Sequence, residues 1–200
     1  GNGESDHRSQ HGAYNIWDDL LDILAIADAL DWDSFKILSH SRGAFVGMLL
    51  AATMPDRVEK LLMLDGALLP PSDEASTPKN LSRYLHQQRN NYQRPSRVMS
   101  SVDEVIERRI AKIDLTASEC RSLAERSVKP AKNGGYEWRH DPRAVGGSAF
   151  KFSKEHQHAF LSALQMPCLI VLANSGLFKS AGVDAMLKQY NHIAMEFHDG

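Results

Sequence analysis

This sequence predicts an α/β architecture: a parallel sheet of about four strands with helices on both faces and a mainly helical insertion. Three observations carry that reading. Short apolar segments at Phe35–Ser39, Lys60–Leu64 and Cys168–Ala173 read as strands of a buried parallel sheet. Segments with helical spacing alternate with them, as a covered parallel sheet requires. Between Leu68 and Met166 the texture changes to polar helices and turns.

Taken in order, Ile16, Leu20, Ile23, Leu24, Ala27 and Leu30 repeat at helical intervals, with Asp18 and Asp19 at the positive end of the helix dipole. Phe35–Ser39 follows as a strand. Phe45–Thr53 is rich in helix formers and is ended by Pro55. Lys60–Leu64 is the next strand, closed by Asp65-Gly66. Pro70–Pro78 reads as a loop, with three prolines among small polar residues. Ser101–Glu104 and Thr116–Glu119 have capping-box form and open helices. Asn133-Gly134-Gly135 is a turn, and Tyr136–Arg139 alternates like a strand. Ser153 caps a helix to about Gln165, Cys168–Ala173 is a strand, Gly182–Tyr190 a helix and His192–Phe197 the last strand. The insertion is expected to cap the C-terminal ends of the strands.

Composition narrows the function. Lys and Arg number 23 against 25 Asp and Glu, a formal charge of -2, which removes the electrostatic case for a nucleic acid or an acidic membrane as main partner. No apolar run approaches the ~20 residues that span a bilayer. Two cysteines are too few for a disulfide scaffold, and the pair reads as buried thiols of a reducing compartment. The start, Gly1 to Ser5, lacks the regions of a signal peptide, so a cytoplasmic location is expected.

Ser39-His40-Ser41-Arg42-Gly43 lies where a strand meets a helix. A serine on such a sharp turn projects its hydroxyl above the sheet, and small residues two before and two after let strand and helix approach. Ser39 and Gly43 meet that need. The following helix aims free N–H groups at the same spot, so the Arg42 backbone N–H is placed to donate to an oxyanion.

With these residues in view, the sequence resembles the α/β-hydrolase superfamily and its serine hydrolase-like branch. The resemblance rests on "DDLLDILAIADALDWDSFKILSHSRGAFVGMLLAATMPDRVEKLLMLDG", where SHSRGA stands for the usual GHSMGG, and on "GNGES", "GGYEWRHDPR" and "PCLIVLANSGL". It implies a partial α/β-hydrolase fold, with residues 1–67 and 167–200 as core and 68–166 as helical cap. It also implies a serine nucleophile at Ser41, a histidine base, an orienting acid and no cofactor or metal. The substrate would be a small acyl compound such as an ester, with neither nucleic acid nor membrane as partner; the oligomeric state is not legible. Serine at the elbow argues against dehalogenation and epoxide opening, which use aspartate there in this superfamily.

Departures from the family pattern matter too. The first motif glycine is Ser39. The acid common after the penultimate strand, near Asn174 to Gly176, is absent. Some members carry it after the strand that follows the nucleophile helix, so Asp65 takes the acid role, with Asp184 the weaker candidate. The family's base follows the last strand, beyond where these residues run, and strands one to four of the family order 1-2-4-3-5-6-7-8 have no counterpart. Both ends therefore read as cut, with Phe35–Ser39 left as a bare edge.

Other residues have plainer readings. His40 neighbours Ser41 and points away from its hydroxyl, so it is structural; His198 is a minor base candidate. His156 and His158, two apart on a helix, chelate poorly. Cys120 and Cys168 are inert thiols. Trp17, Trp32 and Trp138 are packing residues, and Trp138 is also placed to line a cleft in the cap. Two functions stand: a serine hydrolase, or an incomplete or degenerate hydrolase that acts at most as a binding module.

Overall fold

The computed structural model describes residues 1–9, 12–66, 72–93, 95–110, 115–176 and 183–199. In chain order it forms α1 (Ile16–Ala29), β1 (Phe35–His40), α2 (Arg42–Thr53) and β2 (Val58–Leu64). Then come α3 (Thr77–Gln93), β3 (Val98–Met99), α4 (Val102–Ile110), α5 (Ala117–Ser127), β4 (Val128–Pro130) and β5 (Tyr136–Trp138). The last are α6 (Lys154–Ser162), β6 (Cys168–Ala173), α7 (Val183–Leu187) and β7 (Ile193–His198). Contacts divide the chain into two units, Gly1–Tyr14 with Leu81–Ala149, and Asn15–Asn80 with Phe150–Gly200.

The second unit holds the parallel sheet in the order β1-β2-β6-β7. Its ladder is in step: His40 faces Leu64, Leu64 faces Val171, and Val171 faces Glu196. Every residue of α2 from Ala44 to Ala51 is buried. A helix apolar all round needs neighbours all round, and α2 packs on β1, β2, α1 and α6. The core side of the sheet presents Ile37, Leu61, Met63, Cys168, Ile170 and Leu172 to apolar residues of α1, α2, α6 and α7.

Burial across the sheet is lopsided. The alternate residues Leu62, Leu64, Leu169 and Val171 are only half-buried, and Leu38 is 69% exposed. Strands apolar throughout predict helices on both faces; the described apolar residues of α1, α2, α6 and α7 all join one core, against the face of Leu61, Met63, Cys168 and Ile170. Among the described residues β1 is one edge of the sheet, as the resemblance implies.

The first unit has its own core of Met99, Val105, Ile106, Cys120, Ala124 and Val128. Around it lie α4, α5 and a three-stranded sheet in the order β3-β5-β4. The capping box opening α5 is present: the Glu119 N–H donates to the Thr116 hydroxyl, and the Glu119 carboxylate accepts from the Thr116 N–H at 2.8 Å. At α4 the Glu104 carboxylate reaches one residue further, to the Ser100 N–H. Gly134 and Gly135 turn β4 into β5 at φ 89° and 76°.

Asp141, 3% exposed, ties Gly1–Tyr14 into this unit. Its carboxylate accepts from the Tyr14 hydroxyl at 3.0 Å and from the Arg143 guanidinium at 2.6 Å, while its N–H donates to the Gly1 carbonyl. Arg143 also donates to the carbonyls of Arg8 and Ser9. Burial pushes the Asp141 carboxyl up, but the bonds from Arg143 and Tyr14 outweigh it and hold the pKa at about 2. These contacts explain why the first fourteen residues group with 81–149 and not with the sheet.

Several expectations change. Pro70 and Pro71 lie outside the described residues, but the stretch does not stay a loop to Pro78. A 3-10 turn at Glu74–Ser76 leads into α3 at Thr77. Pro78 fits the first turn of a helix because the N–H it lacks has no partner there. The short strands β3 and β4 lack enough residues to show a period of two. The helix from Ser153 stops at Ser162.

Two outcomes are expected. The depressed Asp141 pKa means its stabilisation is whole above the ordinary carboxylate value of 3.8 and is lost as pH falls toward about 2. Asp141→Asn should therefore lower the thermal midpoint at neutral pH, at a cost of about 2 kcal/mol, and flatten acid unfolding between those values. Gln157 on α6 is 1% exposed with neither end of its amide hydrogen-bonded. Gln157→Leu should stabilise by about 1–3 kcal/mol, read as a raised thermal midpoint; a fall would show that the amide is paired.

Candidate active site

Ser41 sits between the last residue of β1 and the first of α2, with φ 53° and ψ -120°. This is a strained conformation for a residue with a side chain. Neighbours hold it there. The Ser41 N–H donates to the Leu64 carbonyl at 3.0 Å, and the Ser41 carbonyl accepts from Ala44 at 3.0 Å. Gly66 packs against the turn so closely that a Cβ there would lie 2.5 Å from the Ser41 carbonyl oxygen and 2.9 Å from its Cα. The Ser41 residue is exposed, and its hydroxyl does not cap α2.

Arg42 is the first residue of α2, where no intrahelical acceptor exists for the N–H. Its guanidinium turns aside to Asp19 in the first turn of α1. Helix and strand approach most closely at a different glycine from the one the motif singles out. A Cβ at Gly43 would meet nothing within 4 Å, whereas one at Gly47 would lie 3.1 Å from both Ile37 and the Ser39 hydroxyl. That hydroxyl donates to the Leu62 carbonyl at 3.1 Å, so serine in place of the motif glycine leaves no polar atom stranded.

Asp65 follows β2 with φ 37°. The Ala173 N–H donates to its carboxylate at 3.4 Å, and the same oxygen lies 2.9 Å from where a Gly176 Cβ would be. The carboxylate thus lies against Ala173–Gly176, the stretch that lacks the acid expected there. The side chain of Asp184 lies outside the described residues. His198 ends β7, three strands from β1, roughly 14 Å at ordinary strand spacing. Its Nδ1 contacts the Asp199 carbonyl. Among the described residues no histidine hydrogen-bonds to Ser41 or Asp65.

The remaining candidates have structural partners. The His156 Nδ1 accepts from the Ser153 N–H and completes the cap of α6, while the His158 Nδ1 contacts the Tyr190 hydroxyl at 2.7 Å. His40 is exposed on the edge strand. Burial pushes the Cys168 thiol up to about 11, and Cys120 is buried. Trp138 packs against the first unit's core and the His140 ring. A groove of about 540 Å³ follows the free edge of β1, lined by Ile23, Ile37, Val46 and Gly47. It marks the strand's unpaired side and does not include Ser41. Sequence reasoning missed the roles of Leu64, Gly66 and Gly47 in shaping the turn, because they act through backbone approach.

The family model described as the alpha/beta hydrolase fold matches residues 1–196, and the chain belongs to that family. Within it the chain is similar to the serine hydrolase-like proteins. It is 27% identical over 179 residues to one from Dictyostelium discoideum, covering 86% of this chain and 49% of that one. Serine hydrolase-like protein 2 of Homo sapiens is 30% identical over 189 residues, covering 90% of this chain and 59% of its own. This chain thus spans about half the length of the Dictyostelium relative. The crystal structure of a hypothetical protein from Pseudomonas aeruginosa PAO1 superimposes with a TM-score of 0.92 at 29% identity, over 100% of this chain and 71% of that one. The thioesterase domain from the curacin biosynthetic pathway, 20% identical, shares the fold with a TM-score of 0.77. Among the described residues no helix is long and apolar enough to cross a membrane.

Gly66→Ala should force the Ser41 turn to move. A loss of about 1–3 kcal/mol is expected in thermal unfolding, and an unchanged midpoint would mean that the turn gives way freely.

Proposed function

We propose that the natural protein is a serine-nucleophile hydrolase of ester or related acyl substrates, and that residues 1–200 carry its nucleophile, one oxyanion donor and its orienting acid. The observation that carries this reading is the strained backbone of Ser41, exposed at the mouth of a buried helix. Strain of this kind persists only where surrounding structure enforces it. Ser41 Oγ attacks the acyl carbon as a histidine takes its proton. Negative charge then builds on the carbonyl oxygen, and the Arg42 N–H donates to it. Collapse expels the alcohol, which receives that proton from the histidine. Water, activated by the same histidine, then releases the acid and frees Ser41.

The base in this proposal comes from outside residues 1–200, and Asp65 orients it. The Asp65 carboxylate lies against the end of β6, in the stretch where the resemblance expects an acid and finds none. The small acyl compound is the proposed partner, without a cofactor. A second reading, a degenerate hydrolase that binds without catalysis, is favoured by one observation: no described histidine bonds to Ser41 or Asp65.

Labelling of the full natural protein by a fluorophosphonate probe separates the two. Wild type should label and Ser41→Ala should not; Asp65→Asn should slow labelling by about 10²-fold or more. Undiminished labelling of Ser41→Ala would overturn the nucleophile assignment, and an unlabelled wild type would favour the second reading.

A further inference from the structure

Phe152 is the hub of a ring cluster in the second unit. Its centroid lies 5.1 Å from Phe45, 5.6 Å from Phe160, 5.7 Å from Trp17, 5.8 Å from His156 and 6.1 Å from Phe150. The contacts with Phe45, Phe150, Phe160 and His156 are edge to face. Phe45 and Phe152 are 2% and 7% exposed, and core packing accounts for them. Trp17 and Phe150 lean on the same hub yet stay 47% and 43% exposed, with Phe150 also meeting the His156 ring edge to face at 5.8 Å. Single exposed apolar residues are ordinary, but two large rings leaning on one buried ring form a patch.

Chain direction sets where the patch lies. α1 and α6 each lead into the start of a strand, so their first turns lie at the strands' C-terminal ends. α2 begins at that end because it follows β1. Trp17 is in the first turn of α1, Phe45 is one turn beyond Ser41, and Phe152 and His156 flank the start of α6. The Asp19–Arg42 ion pair fastens the first turn of α1 to that of α2. The cluster therefore occupies the elbow end of the sheet. Exposed ring edges and faces favour a further ring, which stacks edge to face at centroid distances like those already present.

We propose that this aromatic shelf binds an aryl group on the acyl part of the substrate, which names the substrate class within the hydrolase reading on which it rests. Tryptophan fluorescence of the full natural protein carrying Ser41→Ala, titrated with 4-phenylbutyrate and separately with hexanoate, tests it without turnover. Expected are a saturable change with 4-phenylbutyrate, affinity about tenfold weaker for hexanoate or after Phe150→Ser, and loss of the signal in Trp17→Phe. Phe150→Leu keeps the bulk without the ring and should also weaken 4-phenylbutyrate binding; circular dichroism confirms that each variant is folded. Equal affinity for the two acids would overturn the aryl preference. No response, or one that persists in Trp17→Phe, would overturn the site. Because binding alone is read, failure here is separate from failure of Ser41 to label.

Discussion

The contact between the Ser41 turn and the end of β2 is the constraint on which the rest of the site depends. A backbone at φ 53° and ψ -120° is unfavourable for serine in isolation. Here the Leu64 carbonyl holds the Ser41 N–H, and Gly66 fills the space beneath it with no side chain of its own. The same contact brings Asp65 level with the turn, because Leu64 faces His40 in the ladder. Nucleophile and acid candidates are thus placed by one junction between two neighbouring strands.

The sheet extends that junction outward. Parallel pairing in step from β1 to β7 brings every strand's C-terminal end to one rim, and α2, buried on all sides, fixes the turn from below. The half-buried face through Leu62, Leu64, Leu169 and Val171, and the open edge of β1, show how much apolar surface these residues leave uncovered.

The first unit follows a different physical logic. Its core is small, and a single buried carboxylate, Asp141, gathers Tyr14, Arg143 and the Gly1 carbonyl. Breaking a polar network of this kind costs little when it is exposed and much when it is desolvated with every partner in place. That is why fourteen residues at the start of the chain join a segment beginning at Leu81.

The sequence by itself determined the alternation of strands and helices, the residue at the elbow and the glycine turn at 133–135, because each is written in local spacing and local backbone preference. Its reading of Pro70–Pro78 as loop failed at Thr77 because proline is equally at home in a helix's first turn. Only the tertiary structure decided that the close approach falls at Gly47 and not Gly43, and that α1, α2, α6 and α7 share one core against one face of the sheet. It alone showed that Asp65 rests against Ala173, and that Asp141 claims the first residues of the chain. Those outcomes rest on contacts between residues distant in sequence, whose partners are chosen by packing and hydrogen bonding, and no local pattern encodes them.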